Sequence, residues 1–212
     1  MEVTLSLTVL ISLMLLTEFL AKHKLLQGES ARKFAHTTTG LYGATWPFFM
    51  TWRQIQIIWV VCMILLVVSR RVLIIKSVYQ VERSSYGDIL GPFTLGALTL
   101  FEPNPVVFSA AVLHVALADG FAALLGVKYG KKNRYRVFGS TKSVVGTATF
   151  LTVSLLINFS FWASGLHGFG EVGINAILLA SGGATLLENV AGLGFDNVAV
   201  PVYVAVVLSV AL

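Results

Sequence analysis

Apolar residues come in long runs along this chain, and polar residues gather between the runs and at their ends. The first run covers about residues 3–20, with Glu18 near one end, where snorkelling to an interface accommodates the charge. Ser30 is a candidate N-cap for the helix that follows, in which Arg32, His36, Gly40, Gly43 and Pro47 share one stripe. That stripe passes from charged residues to small ones, a face on which a second helix packs closely. A third run, 55–68, leads into segment 69–86, where Val72, Ile75, Val78 and Tyr79 recur at helical spacing among Arg70, Arg71, Lys76, Glu82 and Arg83. Such a pattern predicts an amphipathic helix lying on a membrane interface. The fourth run opens at 86–93 with Asp88 just before Gly91 and Pro92. The fifth starts at Val106, after the tight turn 102–105, and holds His114 and Asp119. Run six covers about 144–162, run seven places Ser181, Thr185 and Glu188 on one stripe, and a last run covers 198–212. As a helix the last run is about 22 Å long, less than a hydrocarbon core of about 30 Å, and is expected to be an incomplete crossing.

These runs predict a single domain, residues 1–212, with an all-α fold: a polytopic integral membrane helical bundle of about eight transmembrane helices. Composition excludes a soluble domain, with 56% hydrophobic and 12% charged residues and a mean hydropathy of +0.82. The first run is expected to be a retained helix, because Lys22 and Lys24 follow it where a cleavable signal has cations in front. A net charge of +5 does not imply nucleic acid here, since what matters in a membrane chain is which loops hold the cations. With the N-terminus outside, 14 of the 15 Lys and Arg residues face the cytoplasm and only Arg53 faces out. The single Cys62 lies mid-run, which excludes an intramolecular disulfide and a cysteine-rich zinc site.

Candidate chemistry centres on Asp119, an ionisable group inside an apolar run, for which function is the default reading. Shortly after it, Lys128, Lys131, Lys132, Arg134, Arg136 and Lys142 crowd a loop punctuated by Gly130 and Gly139, with Gly126 just before. Clustered cations and bare backbone amides suit a polyphosphate. Arg32, Lys33, His36, Asp88, Glu188 and Asp196 end their runs on the same rim, and carboxylates beside phosphates suit Mg²⁺, a hard cation that takes oxygen ligands. Plainer roles stay open: Arg32 and Lys33 as topology signals, Asp88 as an N-cap, His36 as a packing residue, and His114 as purely structural. In the outer loop His167 and Glu171 have no second ligand at useful spacing. No Walker motif, G-x-G-x-x-G, G-x-S-x-G or H-E-x-x-H is present. The residues alone therefore lead to a cytosol-facing polyphosphate site in a membrane protein. A small transporter using Asp119 as a relay is the rival from another class, disfavoured because the charges gather at one rim.

Four blocks carry a resemblance: ARKFAHTTTGLYGATWPFF, ERSSYGDILGPFTLG, ADGFAALLGVKYGKK with STKSVVG, and LLENVAGLGFDNVAVP. In this order they resemble the CTP-dependent lipid-alcohol kinases, which include phytol and farnesol kinases, dolichol kinase and CTP-dependent diacylglycerol kinase. The resemblance implies transfer of the γ-phosphoryl group of CTP to the hydroxyl of a membrane isoprenoid alcohol, giving a lipid monophosphate and CDP. It implies CTP use by Arg32, Lys33, Asp119 and Gly126, and matches Glu188, Asp196 and Asn197 to the later acidic positions. On it rest the expected roles: Asp119, Glu188 and Asp196 toward Mg²⁺; Arg32, Lys33, Lys128, Lys131, Lys132 and Lys142 toward phosphates; His36 toward the alcohol proton or a phosphate oxygen, with Asp88 the next choice of base. The alternatives are a CTP-dependent diacylglycerol kinase and a CTP:phosphatidate cytidylyltransferase, which releases pyrophosphate. Expected partners are CTP, the lipid alcohol and the bilayer, without nucleic acid.

Overall fold

The computed structural model describes residues 1–26, 28–72, 87–138, 140–192 and 194–212. The proposed interfacial segment from Ile75 through Tyr79, Gly139, and the side chains of Val72 and Asp88 lie outside the described residues. Nine α-helices are described: α1 (Glu2–Lys22), α2 (Glu29–Thr45), α3 (Trp52–Val72), α4 (Gly87–Leu98), α5 (Pro105–Leu113), α6 (Asp119–Tyr129), α7 (Val144–Ser164), α8 (Ile174–Val190) and α9 (Asp196–Ala211). The polar loop expected after Asp119 is partly ordered as an antiparallel hairpin, β1 (Arg134–Val137) and β2 (Ser140–Ser143).

Among the described residues four helices are long and apolar enough to cross a membrane: Glu2–Lys22, Trp52–Ser69, Pro105–Lys132 and Val144–Ser164. Three shorter apolar helices accompany them, Ile89–Phe101, Ile174–Val190 and Asp196–Ala211. Helix α2 belongs to neither group. It carries Arg32, Lys33 and His36, followed by Thr37, Thr38 and Thr39. The hydroxyls of Thr38 and Thr39 turn back to the carbonyls of Phe34 and Ala35 at 2.8 and 2.7 Å, which satisfies them within the helix.

The core is built mainly from α5, α7, α8 and α9. Ala110, Ala111, Ala180 and Ala184 bring the helix backbones close, and Val106, Phe150, Ile177 and Val204 fill the space between them. Large apolar side chains on α1 and α3, among them Leu5, Leu15, Phe19, Ile64 and Leu65, point away from this core and are exposed, as lipid-facing positions are. At the end where α5 begins, the short helix Leu166–Glu171 tucks Phe169 into the core, and Asn104 donates to the His167 carbonyl at 2.9 Å. His167 thus belongs to a structural closure. Beyond the other end of α5 the buried His114 is held at both ring nitrogens: Nδ1 donates to the Ala110 carbonyl at 2.7 Å and Nε2 accepts from Ser154 Oγ at 2.6 Å.

Between α5 and α6 the helix widens into one π turn, His114–Ala118, in which the Asp119 N–H reaches back to the His114 carbonyl. A π turn loosens the regular hydrogen-bond ladder and commonly sits at a functional site. Here α2 engages the widened turn. His36 Nε2 donates to the Val115 carbonyl at 3.2 Å, and Thr37 Oγ1 donates to the Ala116 carbonyl at 2.9 Å. Gly40 permits the approach, since a Cβ there would lie 2.5 Å from Ala116 Cβ. Gly40→Ala is accordingly expected to lower stability by about 1–3 kcal/mol through overpacking. Thermal unfolding in detergent measures this, and an unchanged melting temperature would show that α2 is free to shift.

Candidate functional site

Each of the charges gathered at the site comes from a different part of the bundle. Lys33, on α2, is 5% exposed, and its ammonium group closes on Asp119, the first residue after the π turn. Lys142, on β2, donates to Glu188 Oε1 and to the Glu188 carbonyl, each at 2.6 Å. Asp196 opens α9 and lines the same small cleft as Asp119, Glu188 and Asn197, with His114, Val115, Phe150 and Val200 completing the lining. The three carboxylates act on one another electrostatically, and both lysines act on Asp119 and Asp196. Three carboxylates face two ammonium groups. Asp196 makes no ion pair among the described residues and accepts a hydrogen bond from the Asn197 N–H at 3.0 Å.

This differs from a ready-made cage of three carboxylates. Among the described residues no group of three or more His, Cys, Asp or Glu side chains is placed to hold a metal ion. The physical reason is visible in the pairs: Asp119 and Glu188 are each drawn to a lysine, which compensates a charge that would otherwise be costly to bury. The donor set still fits Mg²⁺ in its chemistry, being all oxygen and on the rim of one cleft, and that ion usually needs only one or two carboxylates besides substrate phosphates.

The basic loop does not converge as one cage either. In the hairpin Arg134 pairs with Ser143, Tyr135 with Lys142 and Arg136 with Thr141. Because strand side chains alternate, Tyr135 and Lys142 share one face and Arg134 and Arg136 the other. Lys142 turns toward the carboxylates, whereas Arg134, Arg136, Lys128, Lys131 and Lys132 are exposed. Lys128 lies over the Tyr129 ring, 5.0 Å from its centroid. Gly126 packs at the root of the hairpin, where a Cβ would lie 3.0 Å from Ser143 Oγ. Ser143 caps α7 by accepting from the Gly146 N–H at 3.1 Å. Arg32 lies half-buried beside Lys33 on α2. His36 approaches the cleft from α2, and a Cβ on Gly91 of α4 would lie 3.8 Å from its Cε1 and 3.6 Å from Asn197 Cβ.

Sequence reasoning missed Thr37 and the π turn that it engages, together with Tyr135, Thr147 and Asn189, which bond to one another where the hairpin meets α7 and α8. Tyr135 had one available signal, the in–out alternation of Arg134, Tyr135, Arg136 and Val137.

A phytol kinase from Synechocystis sp. (strain ATCC 27184 / PCC 6803 / Kazusa) is 33% identical to this chain over 207 residues, covering 94% of the chain and 86% of the relative. The chain belongs to the phytol kinase family. It is a lipid-alcohol kinase, and its apolar helices fit a membrane setting. No family model matches the kinase. No solved structure matches it. The cleft therefore places two lysines and three carboxylates of a lipid-alcohol kinase close to one another.

Proposed function

We propose that this kinase transfers the γ-phosphoryl group of CTP to the primary hydroxyl of a membrane isoprenoid alcohol of the phytol type, releasing CDP and the lipid monophosphate. The observation that carries the reading is the pair of lysine–carboxylate contacts, Lys33 with Asp119 and Lys142 with Glu188, around one cleft. Phosphoryl transfer asks the protein to position reactants and to neutralise phosphate charge. Lys33 and Lys142 do this by exchanging their carboxylates for phosphate oxygens, with Arg32 beside them. Asp119, Glu188 and Asp196 would hold Mg²⁺, which supplies further neutralisation at the phosphates when bound. Exposed Lys128, Lys131 and Lys132 raise the local concentration of the anionic nucleotide rather than grip it.

For the acceptor, His36 is the base. Its Nε2–H is committed to the Val115 carbonyl, so in the neutral ring Nδ1 is the nitrogen free to take the hydroxyl proton. His36→Gln is expected to lose at least tenfold in kcat, about 1.4 kcal/mol of barrier, with little change in KM for CTP. A rise in KM at constant kcat would make His36 a nucleotide ligand. The wider arrangement in this reading is an eight-span bundle with its N-terminus outside and the cleft at the cytoplasmic rim.

Incubating the protein in vesicles with γ-labelled CTP and a panel of phytol, farnesol, undecaprenol and diacylglycerol tests the reading. Label is expected in the monophosphate of an isoprenoid alcohol, and little of it when labelled ATP replaces CTP. Label in diacylglycerol alone would make it the acceptor, equal use of ATP would remove the cytidine preference, and release of pyrophosphate would indicate a cytidylyltransferase.

A further inference from the structure

Among the described residues, side-chain hydrogen bonds join the hairpin to α8 at two adjacent points, and only one of them carries charge. At the first, Lys142 bonds to Glu188. At the second, the Tyr135 hydroxyl, on the same hairpin face as Lys142, meets Asn189 Oδ1 and Thr147 Oγ1. Thr147 Oγ1 also donates to Asn189 Oδ1 at 2.8 Å, and Asn189 Nδ2 donates to the Thr185 carbonyl at 2.8 Å, which fixes the orientation of the amide. Asn189 directly follows Glu188 on α8, and Thr147 lies in the first turn of α7. Gly192, just beyond α8, leaves room for Ser140 of β2, since a Cβ there would lie 2.9 Å from Ser140 Oγ.

We infer that Tyr135, clasped by Asn189 and Thr147, is a positioning residue that holds the hairpin on α8 so that Lys142 is presented to the nucleotide phosphates. The inference rests on the reading of Lys142 as a phosphate ligand. Its physical ground is the difference between the two contacts. Lys142 has a long, flexible side chain, and its bond to Glu188 is the one that an arriving polyphosphate competes for. Once the ammonium exchanges partners, that link between hairpin and helix is gone. The Tyr135 clasp is made of neutral groups that neither phosphate nor a metal ion displaces, so it persists through the exchange. Without the clasp no side-chain hydrogen bond among the described residues would tie the hairpin to α8 once the substrate binds, and the ordering cost would fall on nucleotide affinity.

Tyr135→Phe removes the hydroxyl and keeps the ring, and Thr147 still serves Asn189 Oδ1, so the variant is expected to fold. Two measurements on the full chain test it. In a Cys62→Ser background, spin labels at Thr141→Cys and Leu186→Cys report the distance from hairpin to α8, and Tyr135→Phe is expected to broaden that distribution. Steady-state kinetics with CTP are expected to show KM raised roughly threefold to tenfold, the effect of one ordinary hydrogen bond, with kcat at saturation within about twofold. An unchanged distance distribution overturns the inference whatever the kinetics, and so does a fall in kcat at constant KM. If the unmodified protein phosphorylates no alcohol with CTP, the functional reading falls instead, and the label distances alone decide whether Tyr135 holds the hairpin.

Discussion

Asp119→Asn is expected to abolish phosphoryl transfer and also to destabilise the protein by about 3–5 kcal/mol, the cost of leaving a buried charge without its partner. A carboxylate considered alone in an apolar run would predict the opposite effect on stability, because its removal normally relieves a burial cost. The structure reverses the sign: Lys33 is 5% exposed and bonded to Asp119, so the neutral asparagine strands an ammonium group. The decisive comparison is the double variant Lys33→Met/Asp119→Leu, which removes both charges. It should recover most of the lost stability, since apolar replacements of a buried pair are often neutral or stabilising, while remaining inactive. Melting temperatures of the parent, the two single variants and the double variant, together with label transfer from CTP, test both halves. A double variant no more stable than either single variant would mean that the pair is not the source of the effect, and an active Asp119→Asn would remove Asp119 from the chemistry.

The second large effect is expected at Lys142. Lys142→Met should lower kcat/KM for CTP by about 10- to 100-fold, in line with roughly 1.5–3 kcal/mol for a charge-assisted hydrogen bond. It also leaves Glu188, 7% exposed, without its cation. Adding Glu188→Gln to Lys142→Met should therefore restore melting temperature without restoring turnover. Unchanged kcat/KM in Lys142→Met would leave Lys142 the single task of neutralising Glu188.

Much of the bundle was legible because apolar run length is a strong signal, and α1, α3, α7 and the helix through Asp119 lie close to where their runs predicted. Helix α2 was harder. Of its small-residue stripe Gly40 does pack closely, against Ala116, whereas a Cβ at Gly43 would meet nothing within 4 Å, and its run of threonines takes the helix out of the group of apolar helices. The charged residues of the site were legible as types, since a carboxylate in an apolar run demands a reason. Their pairing was not. Which lysine meets Asp119 depends on the phase of its helix, and a single π turn shifts that phase without marking composition. The basic loop was legible only as a cluster in sequence: its division by a two-residue period between an inward Lys142 and outward Arg134 and Arg136 depends on the hairpin register. The Tyr135–Asn189 contact joins residues 54 positions apart, and no local pattern announces such a pair.

The Lys33–Asp119 contact also sets an order of events during biosynthesis. The two residues are 86 positions apart, so at about 5–20 residues per second the ribosome needs roughly 4–17 s to deliver the counter-charge after the lysine has been made. Throughout that interval Lys33 of α2 lacks the carboxylate that compensates its burial in the folded protein. Emergence of the helix carrying Asp119 provides its neutralising partner together with the carbonyls of Val115 and Ala116 that His36 and Thr37 require. Delivery of the helix that carries Asp119 is thus the event after which Lys33 can be buried as it is in the folded protein, and a nascent chain halted before Asp119 would leave that lysine without its counter-charge.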